Sequence, residues 1–132
     1  MKLLILFLIG LLVGAMGATM VVNTLRQRDV YARGLMDVMQ HDFVYLREEL
    51  RSKHCDEAMS AHALAQLRAL APDTDSAIFP DSIADAPFRE FSSRLTTALD
   101  AAVSSVPADC AALAPHVQSI GKACDECHQR YR

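Results

Sequence analysis

The chain has 132 residues, four cysteines and no tryptophan, enough for one small domain plus an N-terminal segment. Its formal net charge is −3 and its pI lies near 5.9, so nucleic acid is not expected as a partner.

Residues 1–25 read as a targeting or anchoring segment. Met1-Lys2 is a minimal basic start, and no charge follows from Leu3 to Val22. That run of about 20 residues is roughly the length that spans a bilayer as a helix. Gly10 and Gly14 form a Gly-x-x-x-Gly pair, a spacing that lets membrane helices approach closely. The rival reading is a cleaved signal peptide, with Ala15-Met16-Gly17 as a poor cleavage site. Length favours the uncleaved anchor. Arg26, Arg28 and Arg33 follow the run and by charge alone would lie in the cytoplasm. The C-terminal motif described below argues for the opposite orientation.

Residues 28–132 show helical periodicity and no strand alternation. The first helix is expected over 28–53, with Met36, Met39, Phe43, Leu46 and Leu50 stepping by three and four along a bundle seam. A second helix is expected over 56–71. Asp56 and Glu57 suit its N-terminus, Met59, Ala63, Leu67 and Leu70 form its apolar side, and Pro72 stops it. Residues 72–87, rich in proline and aspartate, read as a long connection pinned by Ile78, Phe79 and Ile83. The third helix follows Pro87, with Phe88, Phe91, Leu95, Ala98 and Ala102 on its seam. The fourth is expected over 109–131, capped by Asp109, with Leu113, Val117, Ile120, Cys124, Cys127 and Tyr131 in line.

The last helix carries Cys124-Asp125-Glu126-Cys127-His128, which reads as a c-type haem attachment site. Two thiols add across the two vinyl groups of one haem, and the next imidazole reaches the iron. Positions three and four apart share a helix face, so all three side chains can point at one flat ligand. A thioredoxin-like motif would need a βαβ setting. Half a zinc site would need two more ligands, for which Cys110 and His116 are the candidates. Covalent haem attachment takes place outside the bacterial cytoplasm, which sets the expected location: periplasmic, anchored to the inner membrane by residues 3–22.

Four antiparallel helices with one longer connection make a four-helix bundle. With the helices running up, down, up, down, residues 33–40 come level with His128. Cys55, after the first helix, then meets Cys110, at the start of the fourth, at the opposite end. In an oxidising compartment two such thiols pair, with Cα atoms about 4.4–6.8 Å apart.

Over residues 28–132 the chain resembles the cytochrome c-prime family. The resemblance rests on Cys124, Cys127 and His128, on Tyr131-Arg132 after them, and on the Arg33-Gly34-Leu35-Met36-Asp37-Val38-Met39 stretch. It implies that His128 is the proximal iron ligand, that Arg33 lies near the haem propionates and that the distal side faces the first helix. One branch of the family puts a methionine sulfur on the iron and is low-spin; another leaves it five-coordinate and binds gases. The family places its distal residue four positions after the arginine, which here is Asp37, so Met36 comes one residue early.

Among the side chains themselves, Met36 is the favoured distal ligand, with Met39 next and His41 behind because it falls off the seam; a thioether ligand raises the potential of haem iron. Arg132 is a second candidate partner for a propionate. The expected function is an exported monohaem one-electron carrier working between redox proteins of the periplasm or membrane. The alternative is a five-coordinate haem protein that binds nitric oxide or carbon monoxide. No nucleophile–base pair or phosphate loop points to an enzyme, and monomer and homodimer both remain open.

Overall fold

The structure is a computed structural model that describes residues 2–80 and 82–131; the side chains of 2–6 and 24–29 are outside the description. The described residues form five helices: α1 (Lys2–Ser52), α2 (Glu57–Leu70), α3 (Asp73–Ile78), α4 (Ala86–Ser104) and α5 (Cys110–His128). Three aspartates start three of them. The side chains of Asp56, Asp85 and Asp109 each accept an amide N–H three residues on, at 2.8 Å, satisfying donors that the first helical turn leaves orphaned. α1 ends differently. Lys53 turns into the left-handed region with φ 57°, and the amides of Lys53 and His54 donate back to the carbonyls of Leu50 and Glu49, the pattern of a Schellman stop.

α1 packs on α2, α2 on α4, α4 on α5 and α5 on α1, closing an all-helical four-helix bundle, while α3 sits against α1 and α4. Leu46, Leu64, Leu67, Leu99, Leu113 and Ile120 are fully buried at its centre. Leu46→Ala is expected to cost about 2–5 kcal/mol through lost burial and the cavity left behind. Urea denaturation checks this as a lowered midpoint with an unchanged slope.

Several sequence expectations need correction. The buried line of α1 is Leu35, Met39, Asp42 and Leu46, with Phe43 and Leu50 only partly buried. The helix is therefore rotated by about one residue from the expected seam. A reading that follows apolar residues skips Asp42, whose Oδ1 lies 3.3 Å from His41 Nδ1 and whose buried Oδ2 lacks a hydrogen-bond partner. On α2, Met59 is 51% exposed and Ser60 and Leu64 are buried in its stead. Part of the expected connection over 72–87 is helical. Asp73 and Asp75 in the first turn of α3 complement its positive end, and Pro87 lies inside the first turn of α4, where no amide is missed. Ile83 is 87% exposed and pins nothing. Tyr131 lies beyond the end of α5.

α1 is continuous across the expected boundary at 25–28. Among the described residues no helix is long and apolar enough to cross a membrane; the side chains of 3–6, the start of the expected span, lie outside them. At the far end of the bundle Cys55 and Cys110 stand with Cα atoms 5.2 Å apart and sulfurs in bonding contact, inside the range expected.

Candidate cofactor site

The three motif residues occupy the last turns of α5. Cys124 and Cys127 are half-buried free thiols and His128 is exposed. All three line one cleft between α1, α4 and α5. Met36, Met39, Gln40 and Phe43 face it from α1, and Phe88, Phe91, Ser92 and Leu95 from α4. The up-down-up-down order thus brings Met36 and Met39 to the level of His128, ninety residues later in the chain. The lining is mostly apolar, and the cleft encloses about 60 Å³. A macrocycle needs more room, so seating one would part the walls; the unbranched thioether chain of half-buried Met36 is the lining group best able to give.

Burial dominates the electrostatics. It pushes the Cys124 thiol up to about 11, with smaller contributions from the Asp125 carboxylate and from Cys127. The Cys127 thiol is also raised by burial. Both are neutral at physiological pH, so the two sulfurs reach the cleft uncharged. The charges nearby sit outside, where Arg94 pairs with Glu90 and, at 2.9 Å, with Glu126. Exposed pairs of this kind contribute little.

Gly121 is a site-shaping residue that the apolar pattern does not reveal. A Cβ there would lie 2.9 Å from Phe43 Cζ, so the missing side chain is what lets the Phe43 ring close down on α5 beside the cleft. A lone glycine inside a helical segment, next to the seam residue Ile120, was the available signal.

Other candidates fall elsewhere. Arg33 is exposed and does not line the cleft, and Arg132 lies outside the described residues. The side chain of His41 is 83% exposed. The proposed zinc ligands are not assembled: the Cys110 sulfur is in contact with that of Cys55 at the far end of the bundle, and His116 lies beside Ser105 at 3.5 Å. Among the described residues no three His, Cys, Asp or Glu side chains converge on a metal position.

Neither a protein-family model nor a curated protein matches this sequence. Among solved structures the chain is similar to the crystal structure of cytochrome c′ from Rubrivivax gelatinosus, with a TM-score of 0.67 and 18% sequence identity. The match covers 77% of this chain and 91% of that one. The fold is cytochrome c-prime-like. At this identity the likeness speaks for the bundle and its connections alone, and the chemistry rests on the cleft.

Proposed function

We propose that the protein is an exported monohaem c-type cytochrome and a one-electron carrier. The observation that carries this reading is the convergence of two thiols, an imidazole and two thioethers on one apolar cleft. When bound, haem supplies an iron centre that cycles between two oxidation states. Cys124 and Cys127 would hold it as thioethers. His128 would ligate the iron from α5, and Met36 from α1, placing the domain in the methionine-ligated, low-spin branch. The residues of α4 exclude water, and axial ligation and burial are the levers by which this chain sets the potential. The R. gelatinosus protein is named a cytochrome, which supports the same reading. Residues 3–22 would tether the domain to the inner membrane, with redox proteins of the periplasm or membrane as partners.

The second reading keeps the iron five-coordinate and open to nitric oxide or carbon monoxide. The aromatic side chains of Phe43 and Phe91 favour it, since both line the cleft and neither can ligate.

The protein should be isolated from cells able to mature c-type haem, then denatured and extracted with acidified organic solvent. Colour is expected to stay with the polypeptide, and loss of colour to the solvent rules out covalent attachment. Visible spectra of both oxidation states then divide the readings: low-spin bands in both indicate the carrier, high-spin bands the gas binder.

A further inference from the structure

His128 is exposed, and its ring makes no hydrogen bond to any of the described residues. A ligating histidine ordinarily has its ring fixed by a bond from its second nitrogen to a carboxylate or carbonyl. Among the described residues, the backbone that carries the ring is what orients it. That backbone continues past α5 in one further turn. The amide of Gln129 donates to the Asp125 carbonyl at 3.0 Å, and those of Arg130 and Tyr131 to the Cys127 carbonyl at 3.1 and 3.0 Å.

The turn ends on Tyr131, which is fastened to Phe88 and Phe91, two residues that line the cleft. Its ring meets Phe88 edge-on, with centroids 5.1 Å apart, and Phe91 and Phe79 at 6.2 and 6.3 Å. Its hydroxyl donates to Asp85 Oδ1 at 2.5 Å, the same oxygen that accepts the Phe88 amide and starts α4. One carboxylate oxygen thus ties the turn after His128 to the first turn of α4. Phe88 and Phe91 line the cleft from that helix, opposite Cys127 and His128. The Tyr131 hydroxyl, more than any other group, holds the Asp85 carboxyl below its usual range.

We propose that Tyr131, latched to Asp85 within the Phe79–Phe88–Phe91 cluster, is a positioning residue for His128. It sets how the imidazole faces the cleft and keeps water from its mouth. The inference rests on the haem reading above. Edge-to-face aromatic pairs contribute beyond simple burial, and a frayed terminal turn would leave His128 on a mobile end.

The test uses the holoprotein. Tyr131→Ala removes ring and hydroxyl, Tyr131→Phe removes the hydroxyl alone, and Asp85→Asn keeps a capping oxygen while weakening the acceptor. Tyr131→Ala is expected to retain covalent haem and to shift the reduction equilibrium about tenfold toward the oxidised form, or about 59 mV for one electron, because water stabilises the more highly charged iron. Tyr131→Phe and Asp85→Asn are expected to move the same way by less. If Tyr131→Ala does not fold, these two decide. A lowered melting temperature with an unmoved potential and visible spectrum overturns the positioning role. Wild-type protein without covalent haem overturns the haem reading and the latch together; wild-type protein with haem and unshifted variants overturns the latch alone.

Discussion

Replacing both Cys55 and Cys110 with alanine is expected to lower the stability of the oxidised protein by about 4 kcal/mol. The two residues are 55 apart in sequence, and closing a loop of that length removes about this much free energy from the unfolded ensemble in the chain-entropy model. A small domain has only about 5–15 kcal/mol in total, so the denaturation midpoint should fall steeply. The effect should be confined to stability. The bridge joins the end of α1 to the start of α5, whereas the cleft lies at the other end of both helices. The visible spectrum of the folded double variant is therefore expected to match the wild type. A loss below about 1 kcal/mol, well under the usual disulfide contribution, or two thiols titrating in the native wild-type protein, removes the bridge.

The cysteine pair was legible in the sequence because it depended only on helix order. Four apolar-periodic segments joined by two short links and one longer one leave few arrangements, and the up-down-up-down one fixes which ends meet. The same reasoning brought Met36 level with His128. What escaped was what periodicity cannot encode. Asp42 occupies a buried position on α1, and a carboxylate there breaks the apolar pattern that rotation is read from. α3 was hidden because aspartates and a proline favour loops and also helix starts. Tyr131 fitted the three-and-four spacing of α5, yet the chain leaves the helix before it. Its partners on α4 and on the connection that precedes it are known only once the bundle is assembled. Asp85 shows the limit well: nothing local says that one oxygen serves both the Phe88 amide and a tyrosine 46 residues away.

If the protein is the low-spin haem carrier proposed above, Met36→Ala is expected to make it high-spin, with a reduced form that binds carbon monoxide. Met36 and Met39 both face the cleft, but their surroundings differ. Met39 is 6% exposed and belongs to the hydrophobic core beside Leu35 and Leu46, whereas Met36 is only half-buried. A side chain locked in the core cannot swing toward a ligand without opening a void. Met36 can reorient its flexible thioether at smaller cost, and its sulfur, supplied from α1, would be the second protein ligand of a bound haem iron beside His128. Met39→Ala should accordingly behave as a packing variant, losing about 2–5 kcal/mol while its spectrum stays low-spin. Carbon monoxide binding and the spectra of both oxidation states, measured on the two variants side by side, separate the roles. A low-spin Met36→Ala beside a high-spin Met39→Ala transfers the ligand to Met39. Two low-spin variants exclude both sulfurs as sole ligand, and a high-spin wild type favours the open-site reading, with the α1 methionines as pocket wall only.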